Sequence, residues 1–390
     1  MATTAGPLSG ITVLDLSTVG PAARCTRLLG DYGARVVKVG PVPSADASPI
    51  EPPFFAYSGH RGMQRVLLDL KEDDGREAFL TLAASADVVV ESFRPGVMDR
   101  LGVGYDAVAA RHPGIIYCST SGYGQHGPYS QRAGHDINYL ATGGFLAMST
   151  PGVEGRPPLP GATVADAAAG GMQAALAICA ALAGRAASGT GAYLDVAVAD
   201  GVLWLMSLAI DEDLALQNAP GPGHDVLSGR YACYGTYQAK DGRWLAVGAI
   251  ESKFFANLCR ALGCADLAGA QFDDAGQPQL RAALADAFAT KDRDEWIDLL
   301  ADADTCVAPV YAVSEVADDA QFAARGVVAT ATHPQRGAVR QLAPLLAGMV
   351  RGAGVVSLPD TGQTQTAELL HEAGVDDGTI RTWITRRAVA

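Results

Sequence analysis

Three short segments place ionisable side chains among glycines and other small residues: Ala133 to Tyr139, Gly161 to Asp166, and Gly248 to Glu251. The first carries His135 and Asp136 directly after Gly134, at the expected start of a helix running through Leu140 to Met148. A helix N-terminus disfavours an imidazolium cation, so a ring placed there is able to accept a proton. Asp166 interrupts an otherwise apolar helix start of Ala, Gly and Val. Burial among such neighbours raises a carboxyl pKa and makes the group a usable acid or base. Glu251 follows an apolar strand and opens a helix. Each of the three also reads as a helix cap, or as a first-turn residue placed by the helix dipole. None decides the chemistry alone.

Other chemistries lack their motifs. The chain has no G-x-S-x-G elbow, no Walker loop and no H-E-x-x-H, so hydrolase, ATPase and metalloprotease readings have no motif support. Gly102-Val103-Gly104-Tyr105-Asp106-Ala107 matches a dinucleotide fingerprint as a string, but it follows a helical pattern, Pro95–Leu101, instead of a strand. The seven cysteines are scattered with no C-x-x-C pair, which fits buried free thiols in a reducing cytoplasm and argues against a metal site.

The balance of 29 Lys+Arg against 42 Asp+Glu, a net charge of −13, argues against nucleic acid as a partner. It leaves room for one polyanionic small ligand, which needs only a few placed cations and helix N-termini. Met1 to Pro7 lacks the basic start and apolar stretch of a signal peptide. The most apolar run, Gly201 to Ile210, is too short to span a bilayer and meets Asp211, Glu212 and Asp213. No membrane span and a cytoplasmic location are the expectation.

The elements that must position these residues follow an alternating pattern in the first half. Strands are expected at Ile11–Ser17, Val36–Val39, Val88–Glu91 and Gly114–Ser119, with helices at Pro21–Tyr32 and Asp73–Ala86. Short apolar strands separated by helices imply an α/β fold, a parallel sheet covered on both faces. The middle is helical at Ala165–Ala186 and Gly201–Leu216, parted by a strand-like Tyr193–Val198. The Gly/Pro loop from Asn218 to His224 marks a domain boundary. Beyond it, Tyr231–Gln238 and Trp244–Ala249 flank the turn Lys240-Asp241-Gly242 as a hairpin, followed by helices and an apolar strand at Cys306–Tyr311. The expected division is a large α/β domain over 1–217, a small α+β domain over 225–325, and a segment 326–390 that rejoins the large one.

Read with their neighbours, these segments resemble the class III CoA-transferase (CaiB/BaiF) family, and within it the α-methylacyl-CoA racemases. The blocks that carry the resemblance are Pro7–Leu16, Leu29–Lys38, Leu68–Lys71, Ala86–Gly96, Ser121–Pro128, Ala133–Tyr139, Asp241–Glu251 and Asp304–Val310. The resemblance implies a Rossmann-like large domain, a smaller domain that closes the site of a partner chain, and an interlocked homodimer. It implies an acyl-CoA thioester as substrate and no tightly bound cofactor. Transferases of the family use one aspartate as a nucleophile, through an anhydride and an enzyme thioester, and Asp166 occupies that position. The pairing of Gly134-His135-Asp136 with Ala249-Ile250-Glu251 resembles the racemase version instead.

The implied reaction is inversion of the α-carbon in a 2-methyl-branched acyl-CoA. His135, oriented by Glu251, would serve one face and Asp166 the other, with backbone amides near His135 holding the enolate oxygen. Lys38, Arg61, Arg94, Arg100 and Asp136 are the expected CoA contacts. The alternatives are CoA transfer between carboxylic acids through Asp166, and acyl-CoA binding without catalysis. Three departures from the family pattern bear on the site, one of them the loop Leu227–Tyr234, which is less rich in glycine than the usual racemase version. Met63 and Gln64 stand where paired basic residues are usual, between Arg61 and Arg65, and Ala162 stands where racemases present an asparagine.

Overall fold

The apolar runs of the first half fold as strands buried on both faces. A computed structural model describes residues 6–43, 52–348, 356–360 and 362–390; the first five residues of the Met1–Pro7 segment and parts of the expected 326–390 segment lie outside them. The chain begins with β1 (Thr12–Asp15), α1 (Gly20–Asp31), β2 (Arg35–Gly40) and β3 (Gln64–Leu67). It continues with α2 (Asp73–Ala84), β4 (Val88–Glu91), α3 (Val97–Arg100), α4 (Tyr105–Arg111) and β5 (Ile116–Ser121). Next come α5 (Asp136–Thr142), α6 (Phe145–Met148), a π-helix over Ala165–Met172, α7 (Gln173–Ser188), β6 (Ala192–Ala197), α8 (Val198–Leu205) and α9 (Ser207–Leu216).

The six strands form one parallel sheet in the order β3-β2-β1-β4-β5-β6. This is a doubly wound arrangement, and the direction of winding reverses between β1 and β4. The period-two alternation of strands sorts the core into two layers. Val13, Val36, Val88 and Ile116 face α1 and α7 through Cys25, Leu29, Ala174 and Ile178. Leu14, Val37, Val89 and Tyr117 face the other way, onto Phe79 and Leu82 of α2. The Gly102–Ala107 string runs from the turn after α3 into the first residues of α4, so a helix and not a strand directly precedes it.

The chain clusters into two compact units. The first comprises 1–143, 160–207 and 320–390, the second 144–159 and 208–319. The second unit is built on an antiparallel sheet of β7 (Tyr234–Gln238), β8 (Trp244–Gly248) and β9 (Val307–Pro309). Its hairpin turns at Lys240-Asp241-Gly242, where Gly242 takes φ +80°. Helices α10 (Ser252–Ala261), α11 (Gln277–Phe288) and α12 (Arg293–Leu300) supply Phe255, Leu284, Phe288 and Trp296 to its core.

The final stretch of the first unit holds α13 (Ala320–Ala324), a sheet of β10 (Val328–His333), β11 (Gly337–Leu342) and β12 (Val356–Ser357), then α14 (Thr366–Glu372) and α15 (Asp377–Thr385). Leu369, Leu370, Ile380 and Trp383 of the last two helices complete the α2 side of the core. The end of the chain pairs with β3, Ala390 N–H donating to the Leu67 carbonyl at 3.1 Å.

Ala165–Ser188 is long and apolar enough to cross a membrane by length and composition. In the fold it packs along α1 and the sheet through Ala174, Ala175 and Ile178, leaving Met172 and Leu176 exposed. All seven cysteines are free; Cys306, expected to be buried, is exposed because it lies at the approach to the short strand β9.

Candidate active site

In a doubly wound sheet the ligand crevice lies outside the carboxyl ends of the strands, at the point of reversal. A cavity of about 430 Å³ opens there beside β1, β2 and β3, lined among others by Ser17, Lys38, His60, Arg65 and Phe93. Lys38 is anchored at its wall. Its Nζ donates to Asp15 Oδ2 at 2.8 Å and to the Ser17 carbonyl at 2.6 Å. Asp15 is fully buried and also accepts from the Ser17 amide at 2.8 Å and from the Thr26 hydroxyl, so the paired charges are satisfied.

The remaining expected CoA contacts separate. Arg94 is exposed and lines a second cavity of about 350 Å³ with Glu91, Tyr105, Tyr117 and His126. Burial pushes the Glu91 carboxyl up to about 7. Arg100 is exposed and lines neither cavity. Arg61 is not a ligand-facing cation. It is buried, pairs with Asp31 at 3.0 Å and donates to the Leu342 carbonyl. Arg27 shares the same carboxylate, and burial lowers the two guanidiniums to about 9 for Arg27 and about 10 for Arg61.

His135, Asp136 and Asp166 do come together. The helix at His135 is shorter than expected, because Gly143 ends α5 and Gly144 enters the left-handed region at φ +83°. His135 is the exposed N-cap of α5, and its amide donates to Asn138 Oδ1 at 3.0 Å. Asp136 in the first turn accepts the Asp166 amide at 2.8 Å, tying α5 to the start of the π-helix. This bond gives Asp136 a positioning role at the start of both helices. A π-helix is rare and often marks a functional site.

The small residues around Asp166 have a packing reason. A Cβ at Gly170 would lie 2.5 Å from Pro21 Cβ, and one at Gly171 2.8 Å from Arg24 Cβ. The two glycines therefore let the π-helix press on the first turns of α1. That brings the Asp166 carboxylate to the N-terminal end of α1, with Oδ2 3.9 Å from where a Cβ on Gly20 would stand. Burial raises the Asp166 pKa first and the Asp136 carboxylate second, while Arg24 and His135 oppose them.

That arrangement sets a pH dependence. A raised carboxyl pKa keeps the proton on Asp166 to higher pH, so the ionised form is lost as pH falls through that elevated value. In Asp136→Asn the amide oxygen still accepts the Asp166 N–H, but the like charge is gone. The acid limb of the kcat/KM profile is therefore expected to move to lower pH than in the unaltered protein. Rates measured across the acid range check this, and an unmoved limb would remove Asp136 from the tuning of Asp166.

Further residues surround this cluster, and Arg24, Tyr57 and His60 among them carry no signal in the sequence. The Tyr139 ring lies against Gly122 and Gly134, and its hydroxyl donates to the Gly134 carbonyl at 2.7 Å, just before His135. Burial and then Asp166 push its phenol up to about 12. Arg24 donates to the Thr163 hydroxyl and lies 5.6 Å from the Tyr57 ring centroid. Tyr57 belongs to a turn in which Tyr57, Ser58, Gly59 and His60 all adopt left-handed backbone, at φ 48°, 57°, 64° and 53°. Left-handed α backbone costs about 1–2 kcal/mol for each non-glycine residue, and such outliers cluster at functional sites. The turn delivers the Tyr57 hydroxyl to the Gly20 amide at 3.0 Å and the His60 ring to the cavity wall. Burial, then Lys38, lowers His60 to about 4.

Glu251 belongs to the second unit. It is the exposed N-cap of α10, and its carbonyl accepts the Phe255 amide at 3.1 Å. The segment before it is held by buried Gln271, whose amide donates to the carbonyls of Ala249 at 3.1 Å and Ile250 at 2.6 Å.

A family model described as CoA-transferase family III matches residues 8–363. The chain is 36% identical over 370 residues to alpha-methylacyl-CoA racemase of Homo sapiens, covering 94% of this chain and 93% of that protein. It is 32% identical over 338 residues to acetyl-CoA:oxalate CoA-transferase of Acetobacter aceti, covering 83% of this chain and 85% of that one. A solved CAIB/BAIF family protein from Brucella suis has a TM-score of 0.77 at 27% identity, covering 95% of this chain and 100% of its own.

Proposed function

Since the chain belongs to CoA-transferase family III, we propose that it is an acyl-CoA racemase or epimerase acting on a 2-methyl-branched thioester. The observation that carries this reading is the bond from the Asp166 amide to Asp136, next to His135, which joins the two segments beside a carboxyl raised by burial. Inversion needs one base on each face of the α-carbon. One group takes the α-proton, the C–H electron pair passes into the enolate, and the other group returns a proton to the opposite face. In one direction Asp166 starts ionised and His135 protonated, and in the reverse direction the roles exchange. The two starting states hold the same number of protons, so both directions share one bell-shaped profile.

Lys38 on the cavity wall and exposed Arg94 and Arg100 are the proposed cations for the CoA phosphates, with CoA entering as substrate and no tightly held cofactor. Glu251 is proposed to orient His135, and a non-additive loss in the His135 and Glu251 double-mutant cycle supports that. An interlocked homodimer is part of the same proposal. Exposed Met172 and Leu176 on the helices beside α1, and Leu203 and Trp204 on α8, are apolar surface of the kind a partner chain covers. A monomeric mass by sedimentation removes that part.

CoA transfer is the second reading, favoured by the likeness to acetyl-CoA:oxalate CoA-transferase. The test is incubation of one enantiomer of a 2-methylacyl-CoA in heavy water. Deuterium at the α-carbon with the opposite configuration accumulating is the expected result. No exchange, with free acids capturing CoA from a donor thioester, replaces the racemase by the transferase.

A further inference from the structure

We propose that the Tyr57 hydroxyl donates a hydrogen bond to the thioester oxygen of the bound acyl-CoA, acting as an oxyanion donor beside the first amides of α5. The proposal rests on the acyl-CoA reading above and adds a residue to it.

Three observations converge on Tyr57. The first is its backbone. Four consecutive left-handed residues, three of them not glycine, hold this side chain where an ordinary turn would not. The second is its hydrogen bonding. A phenol oxygen has one O–H and lone pairs to accept with. The Gly20 amide, 3.0 Å away, occupies an accepting position. The O–H itself has no acceptor among the described residues.

The third observation is its place. Gly20 is held by Tyr57 and also faces Asp166 Oδ2, so the phenol and the carboxylate flank one residue at the opening of α1. A thioester whose α-carbon reaches Asp166 brings its carbonyl oxygen into this neighbourhood as the missing acceptor.

The surroundings favour a donor. The Arg24 guanidinium lies 5.6 Å from the Tyr57 ring centroid, a cation that increases the polarity of the O–H bond. When the α-proton leaves to Asp166 or His135, the C–H electron pair becomes the new C=C bond and the carbonyl oxygen takes the negative charge. The Tyr57 proton stays on Tyr57, and its hydrogen bond shortens as that charge grows. The same donor would polarise the carbonyl for attack by Asp166, so the inference does not depend on which of the two reactions occurs.

The test is infrared difference spectroscopy of pivaloyl-CoA labelled with carbon-13 at the carbonyl. This thioester has no α-hydrogen to lose. The expected result is a carbonyl band at lower frequency on the protein than in solution, returning toward the solution value in Tyr57→Phe. In the same variant kcat is expected to fall about 10²–10³-fold, the usual loss for one oxyanion donor, with KM changed only a few-fold. A structural role would leave the bound band unmoved. Equal bands in the two proteins overturn the proposal. If Tyr57→Phe does not fold, 3-fluorotyrosine at position 57, a stronger donor, must lower the band further, and an unchanged band overturns the proposal. A protein that moves neither α-protons nor CoA refutes the functional reading, while the band still reports on Tyr57.

Discussion

His135→Ala is expected to lower inversion of a 2-methylacyl-CoA about a thousandfold, while one enantiomer still acquires deuterium with its configuration retained. The reasoning is stereochemical. Removing the imidazole takes away the base for one face and the proton donor for that same face, and a positioned general acid or base contributes roughly 10²–10⁴-fold. Asp166 is untouched. It can still abstract from the enantiomer whose hydrogen faces it, exchange that proton with solvent, and return deuterium to the same face. Washout without inversion is the signature of two independent bases.

Chiral separation of the CoA esters combined with mass measurement of the α-deuterium separates these outcomes. Equal loss of washout for both enantiomers would mean that a single group serves both faces. His135 is exposed at an N-cap, so alanine there leaves the buried core intact. A melting measurement separates any loss of the cap from a thousandfold effect on the chemical step. In the transferase reading the same variant keeps most of its CoA transfer.

The strands of the main sheet were legible because their spacing and composition agree. Val88–Glu91 is buried at every position, and its short apolar run fits an inner parallel strand. β3, Gln64–Leu67, escaped notice because an edge strand with two polar leading residues shows no such run. The sheet of β10 to β12 is largely exposed and its residues carry little apolar alternation. The division into units is not a local property either, since Gly144–Leu159 clusters with residues from Leu208 onward.

The candidate site divides in the same way. His135 and Asp166 are legible only with their neighbouring blocks, because each alone also reads as a helix cap or first-turn residue. Arg61 is drawn to the CoA by its place beside Met63 and Gln64, where paired basic residues are usual, whereas the partner that claims it, Asp31, lies thirty residues earlier on α1. Tyr57 was silent for a stronger reason. Left-handed backbone favours glycine and asparagine, and nothing in the residue types Tyr57-Ser58 announces it. Tertiary packing imposes that turn, and only the fold shows what it delivers.

Asp166→Asn is the complementary experiment and carries the sharper distinction between the two readings. The variant keeps the shape of the side chain, and the residue-166 amide can still donate to Asp136. It removes a group whose pKa burial has raised, and with it one of the two faces. Inversion is again expected to fall about a thousandfold. This time deuterium should enter only the enantiomer that His135→Ala leaves unlabelled. The two variants together then assign each face to one residue, which neither does alone. In the transferase reading Asp166 is the nucleophile, and wild-type protein given acyl-CoA must carry a covalent adduct there. Hydroxylamine would release the acyl group or CoA, and intact mass would show the gain. A clean mass in the wild type with mirror-image washout in the two variants leaves Asp166 as an acid–base group. A trapped adduct at Asp166, lost in Asp166→Asn while His135→Ala retains it, would transfer the protein to the other branch of its family.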